Sequence, residues 1–277
     1  MKKTILLLAL VGSINASAQI SLPAPSPSAV SSQKIGLTTV TVSYSRPSVK
    51  GRKIFGDNVP FGKVWRTGAN QITSIKFEEE VLVNGSKIAA GSYGLYTIPN
   101  QNEWTIILNS DDKQWGATNY KQELDVLRMT VKPEVIPAIE NFTIAFVDFT
   151  PTTSNIMIGW DKTAVKFKIE HSVDAKIMAE IAAKTADANA STDTYFDAAD
   201  YYYEKGIDLP KAYEWATKVV EAKKEYWTYQ LKARIAGKMG NCKAAIPDAE
   251  KSMELAKKAG DVAYIKKNEK VLADCKK

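Results

Sequence analysis

Histidine and cysteine are nearly absent from this 277-residue chain, which has one of the first and two of the second. The histidine is His171, and both cysteines, Cys242 and Cys275, lie far downstream of it. The first half of the chain therefore cannot build a Ser-His-Asp triad, a Cys-His dyad or a His-rich zinc site. A glycine-rich phosphate cradle is missing too. Gly85, Gly91 and Gly94 sit in or beside expected hairpins, where a positive φ accounts for them. No apolar run beyond the N-terminus approaches the roughly 18 residues that a membrane-spanning helix needs. An excess of one charge is also lacking. The formal net charge is +6, of which residues 1–18 contribute +2, and the two halves that follow carry about +2 each. A nucleic-acid binder would concentrate its basic residues, so no nucleic-acid partner is expected.

What is present begins with a leader. Lys2 and Lys3 precede an apolar run from Ile5 to Val11, and Ala16-Ser17-Ala18 offers a small-residue cleavage site before Gln19. This is the layout of a secretory signal peptide over residues 1–18, and it predicts a periplasmic or secreted protein. No cysteine near the cleavage point supports a lipid anchor.

Residues 19–32, rich in Pro, Ser and Ala, read as an extended lead-in. From 33 to 171 the pattern is β. Alternating branched and polar residues predict a strand at 38–44, and Asn84-Gly85 predicts a hairpin turn between 81–83 and 86–88. Further strands are expected at 93–98, 104–109, 126–131, 142–149, 156–160 and 165–169. Eight or so short strands at this spacing predict an all-β sandwich or jelly roll. At 172 the character changes to Ala, Lys, Glu and Tyr, and an all-α domain is expected over 172–277. Its helices are expected at 173–188, 193–205, 209–223, 226–239, 243–258 and 261–275. Ala212, Ala216 and Lys218 recur downstream as Ala245, Ala249 and Lys251, and Gly206 recurs at nearly the same interval as Gly240. A period of about 34 resembles tetratricopeptide repeats, with room for about two and a half. Pro247 departs from that pattern and is expected to kink its helix or delay its start.

An even pair of cysteines in an exported chain suggests a disulfide. If the last two helices are antiparallel, Cys242 and Cys275 lie at their open ends, on arms of roughly 24 and 22 Å. The alternative is two free thiols. His171, at the junction of the two halves, reads as a hinge or capping residue.

Acid chemistry would have to draw on Asp57, Glu78, Glu79, Glu80, Glu103, Asp111 and Asp112. The run Glu78–Glu80 reads as a solvated strand end, since successive strand residues face opposite sides. Asn109-Ser110-Asp111-Asp112 lacks calcium-loop spacing and reads as a turn. The richest segment is Ser45–Asn70. Arg46, Arg52 and Arg66 are three of the four arginines that precede Val173, and they stand among Gly, Pro and Trp65. Arginine offers a rigid fork suited to carboxylates, phosphates and aromatic faces. With Trp65 and Asn70, and with Tyr44, Trp104 and Trp115 elsewhere in the domain, these residues can clamp an anionic or sugar-like ligand. The opposite reading puts Trp65 in the core and has Arg66 hold a loop through backbone carbonyls.

The strings VTVSYSRPSVKGRKIFG, VPFGKVWRTGAN, AGSYGLYTIP, EWTIILN, QWG and DVLRMTVKP, in that order, resemble the family of domain of unknown function 2911. The resemblance covers about Ser26 to Ile169 and implies an exported bacterial protein, often of the Bacteroidetes type, with no activity attached. A helical tail like this one accompanies the domain in many members. The family's characteristic positions fall on Arg46, Pro47, Gly51, Arg52, Pro60, Gly62, Trp65, Arg66 and Gly68 to Asn70. Gln71 stands where the family's pattern usually has Glu, which removes an ionisable group and argues against catalysis.

Taken together, the sequence predicts an exported non-catalytic binding protein. Arg46, Arg52, Trp65, Arg66, Asn70 and Gln71 would hold a small polar or anionic ligand or a glycan, with no metal or cofactor. The helical domain would dock a protein partner or brace the sandwich. The alternatives are a carboxylate-dependent hydrolase of envelope or dietary glycans and a structural envelope protein. The hydrolase would need two acids roughly 5–10 Å apart beside the arginines.

Overall fold

Branched and aromatic residues alternate with small polar ones through the first half of the chain, and that alternation folds as β structure. The computed structural model describes residues 22–276. The leader expected at 1–18 and the first part of the lead-in, 19–21, lie outside the described residues. The chain divides into two units between Ser172 and Val173.

Among the described residues, ten strands build the first unit: β1 (Ser28–Ile35), β2 (Thr38–Ser45), β3 (Thr73–Phe77), β4 (Val81–Val83), β5 (Ser86–Ile88), β6 (Gly91–Ile98), β7 (Trp104–Asn109), β8 (Asp125–Val131), β9 (Glu134–Val147) and β10 (Thr153–Glu170). They form two antiparallel sheets, ordered β1-β2-β3-β6-β7-β8 and β5-β4-β10-β9. Val40, Val42, Ile75, Phe77 and Leu108 of the first sheet join Val83, Ile144, Ile158, Trp160 and Phe167 of the second in one buried cluster. The architecture is the expected β domain, a two-sheet sandwich. A smaller cluster of Ile72, Tyr96 and Ile107 lies apart from this core, covered by Val64, Ala117 and Tyr120.

Three departures from the sequence reading have physical causes. The segment read as an extended lead-in already contains most of β1, which pairs with β2 along its whole length. Its serines hid a strand at the sheet edge, where one neighbour and a half-exposed face suffice. Thr73–Phe77 pairs between β2 and β6 and is too short to show a period. The strands expected at 156–160 and 165–169 are one strand, β10. The apparent break at Asp161, which has φ 52°, is a pair of register shifts against β9, so a bulge replaces a turn. Pro137 sits inside β9, which is tolerated because β9 is an edge.

His171 is a buried side chain of the β unit. Its Nδ1 accepts a hydrogen bond from the Leu37 backbone N–H at 3.1 Å, and its Nε2 lies 3.3 Å from the Glu79 carboxylate. Glu79, from the acidic run, thus meets a partner.

The second unit is helical: α1 (Asp174–Thr185), α2 (Thr192–Lys205), α3 (Leu209–Ala222), α4 (Tyr226–Lys238), α5 (Cys242–Ala259) and α6 (Val262–Asp274). Ser191, Asp208, Asn241 and Asp261 cap α2, α3, α5 and α6 by accepting backbone N–H groups. Gly206 and Gly240, which correspond in the repeat, both take left-handed φ values (69° and 75°) just past α2 and α4. Ala212, Ala216, Ala245 and Ala249 are all buried, where α3 and α5 pack closely on their partners. Pro247 does not delay α5, which already starts at Cys242. Inside α5 it offers no N–H to the Lys243 carbonyl. Cys242 and Cys275 are bridged, with Cα atoms 5.3 Å apart, so the open end of the α5–α6 hairpin is closed covalently. Among the described residues no helix is long and apolar enough to cross a membrane.

Replacing Cys242 and Cys275 by serine is expected to cost the helical unit about 2–4 kcal/mol, because the unfolded chain regains a loop spanning 33 positions. Thermal unfolding followed at the helical circular-dichroism band checks this, and an unchanged midpoint would show the bridge to be idle. Tyr96 gives a second test. Its buried hydroxyl has no partner among the described residues, and burial, then Asp111 and Asp125, push its pKa from 10.0 up to about 12. The unfolded chain releases this proton first, so stability held below pH 10 declines as pH rises toward about 12. Tyr96→Phe should leave neutral stability unchanged or raise it by up to about 1 kcal/mol and flatten the alkaline decline. Urea midpoints across that pH range measure both effects.

Candidate ligand-binding site

Between β2 and β3 the chain runs from 46 to 72 without a strand of its own. So long a connection in a packed domain points to a functional loop. It is pinned along its length. Val49 N–H donates to the Glu140 carbonyl, Phe142 N–H to the Pro47 carbonyl and Gly62 N–H to the Pro99 carbonyl. Trp65 exchanges both backbone hydrogen bonds with Thr97, at 2.8 and 3.0 Å. Ile54 and Val59 are buried in the main core. The loop is a fixed wall.

Trp65 is the point where this wall meets the sandwich. Its ring stacks on Trp160 of β10, with centroids 5.9 Å apart and planes 14° apart, and meets Phe55 and Phe142 edge-on. The indole N–H donates to the Gly68 carbonyl at 3.1 Å, tying the ring back to its own loop.

The backbone just after Trp65 is unusual. Thr67 has φ 55°, Gly68 150° and Asn70 62°. A left-handed threonine is a true outlier, at a cost of order 1–3 kcal/mol. Buried hydrogen bonds hold it: its hydroxyl meets Thr97 Oγ1 at 3.1 Å, and its carbonyl accepts from the Thr73 hydroxyl. At Gly68 a Cβ would stand 3.1 Å from the Ser45 carbonyl oxygen, so only glycine fits without displacement.

Beside this loop lies a cavity of about 660 Å³. Lys50, Arg52, Trp65 and Arg66 line it, with Asn58, Val64, Ala117, Trp160 and the Pro25-Ser26 segment. Three cations face the space, and no aspartate or glutamate among the described residues does.

The three loop arginines do different work. Arg46 donates to the Phe142 carbonyl at 3.1 Å and to Thr143 Oγ1 at 2.7 Å, so it ties the loop to β9 outside the cavity lining. Arg52 lines the cavity but directs its fork to the Val49 and Ser48 carbonyls and to Asn58 Oδ1. Arg66 makes no side-chain hydrogen bond or ion pair among the described residues, and its Nε is buried without a partner. The carbonyl-bonding role that the sequence offered for Arg66 belongs to Arg46 and Arg52. Gly116 packs against Arg66, where a Cβ would lie 3.4 Å from Nη1.

Of the six residues singled out in the sequence, Arg52, Trp65 and Arg66 come together around the cavity. Arg46, Asn70 and Gln71 do not line it. Asn70 instead holds the Ser26 carbonyl at 3.2 Å and the Ser45 hydroxyl at 3.4 Å, which fixes the Pro25-Ser26 wall. Gln71 is exposed and bridges to Trp115 through the backbone. Trp104 and Tyr44 are core residues, and Trp115 is exposed away from the lining. Sequence reasoning missed Lys50, Asn58 and Trp160. The first two lie inside the arginine segment but looked like ordinary surface residues, and Trp160 arrives from a distant strand with no local signal.

The model of a family described as protein of unknown function (DUF2911) matches residues 26–169, just over half of the chain and nearly the whole of the cavity wall. The chain belongs to the DUF2911 family. No curated protein and no solved structure matches it. In this DUF2911 member the matched region starts at Ser26, a cavity residue, and ends at Ile169, next to the last residue of β10.

Arg46→Ala is expected to cost about 1–3 kcal/mol, because two bonds are lost and two acceptors are left unsatisfied. Arg66→Ala should stay within about 0.5 kcal/mol of the parent. Urea unfolding followed by tryptophan fluorescence separates them, and equal losses would make Arg66 a scaffold residue.

Proposed function

We propose that this protein is an exported, non-catalytic binding protein whose β domain holds a small anionic ligand, or an acidic sugar, in the cavity beside Arg66. The observation that carries this reading is the Arg66 guanidinium, a cation lining a cavity without an acid and without a hydrogen-bond partner of its own among the described residues. A buried guanidinium N–H favours an acceptor, and an anion supplies one with full charge. Lys50 adds a second charge, since its Nζ has no partner among the described residues. Trp65 offers apolar and aromatic surface for a ring, and the pinned loop leaves little to be ordered on binding.

Two features favour binding over hydrolysis. A carboxylate-dependent hydrolase needs a pair of acids, whereas the described cavity lining contains neither aspartate nor glutamate. The carboxylate contact made by the loop beside it, Glu140 to the Lys50 backbone N–H at 2.9 Å, is a single one. The helical unit completes the proposal as a short tetratricopeptide-like module for a protein partner, on the strength of its helical hairpins and the matching glycines Gly206 and Gly240. Export through a leader at 1–18, in a bacterium of the Bacteroidetes type, belongs to the same reading.

Thermal shift assays with glucuronate, galacturonate and inorganic phosphate, with glucose as neutral control, test the β-domain site. At least one anion is expected to raise the melting temperature of the parent protein at low salt, less so at high salt, and not that of Arg66→Ala. An equal rise in both proteins, or no anion effect at all, would remove the site.

A further inference from the structure

A second cavity, of about 390 Å³, lies within the helical unit. Tyr203 of α2, Gln230 and Arg234 of α4, Lys238 at the end of α4, and Lys267 and Lys270 of α6 line it. Two features set it apart from an ordinary charged helix face.

The first is Gln230. The residue is only 5% exposed, while its amide atoms reach the cavity and make no hydrogen bond among the described residues. A carboxamide held at a cavity wall with donor and acceptor unengaged by the protein can meet a polar partner there.

The second is the charge balance. Arg234 is compensated, since its two terminal nitrogens pair with Asp200 and Glu204 and its guanidinium lies 4.4 Å over the Tyr203 ring. Lys238 donates to the Tyr203 carbonyl and sits 4.6 Å over the same ring, with no carboxylate among the described residues. Lys267 meets the Tyr264 ring at 4.3 Å, and Lys270 has no partner among the described residues. The one acid in the described lining, Asp274, is already partnered. Three lysines therefore face the space without an ion pair among the described residues.

We propose that this groove binds an acidic peptide segment of a partner protein. The lysines meet its carboxylates, and Gln230 meets its backbone. A carboxamide carries a donor beside an acceptor, which complements a peptide group, whereas an inorganic anion can use donors alone. The Cys242–Cys275 bridge anchors the end of α6, and with it the wall that carries Lys267 and Lys270. The inference rests on the docking role proposed for the helical unit and gives it a location and a chemistry. Its failure leaves the Arg66 cavity untouched.

Fluorescence anisotropy with a labelled hexaglutamate peptide and the full chain, disulfide intact, tests it. Saturable binding at low salt is expected, weakening as salt rises. The double variant Lys267→Glu/Lys270→Glu, which alters two exposed positions, should weaken binding about tenfold or more. Gln230→Met should weaken it several-fold. Absence of saturable binding overturns the proposal. So does parent-like binding by a double variant that melts like the parent. Displacement by inorganic phosphate as effective as by unlabelled peptide overturns it as well, since the site would then be a small-anion site.

Discussion

The stacking of Trp65 on Trp160 is the contact on which the β domain's cavity depends. A connection as long as 46–72 has too much freedom to hold a shaped space unless something fixes its far end. Trp65 does so twice, through its ring against β10 and through its backbone pair with Thr97 on β6. The two anchors belong to different sheets, so the loop is bound to both layers of the sandwich. The strained turn that follows, through Thr67 and Gly68, is tolerable only because both of its neighbours are already fixed. Arg66 stands between the anchor and the strain, and its position follows from them.

The helical unit reaches order by another route. Its helices meet through alanines, which bring backbones close but bury little apolar surface each, packed around Trp215, Leu231 and Ile235. Caps at four helix starts and one covalent bridge add to that modest core. Lysine and arginine side chains lie over the rings of Tyr195, Tyr201, Tyr203 and Tyr213. Such a unit keeps polar side chains close to its interior, which is how Gln230 comes to border a cavity.

The division into a β half and a helical half was legible in the sequence, because periods of two and of about 3.6 are hard to confuse over long windows. The helix limits were legible too: apart from the end of α1, the structure places each within one residue of its expected bound. What escaped was structure decided by partners. β1 is a strand because β2 is beside it, and Asp161 is a bulge because β9 continues across it. The site was half legible. Arginine among glycine, proline and tryptophan pointed to the loop that borders the cavity, but nothing local distinguished Arg46, which bonds β9, from Arg66, which does not. Trp160 contributes a wall from a strand far along the chain, which composition cannot reveal.

The three arginines are unequally employed, two in the frame and one at the cavity. Arg46 and Arg52 are committed to carbonyls of the fold, so their replacement disturbs the architecture itself. Arg66 carries no such duty. A single codon there can change the charge of the cavity lining while the walls stay as they are. On the proposed binding role, a lineage built on this domain could thus explore new ligands one residue at a time without first relearning how to fold.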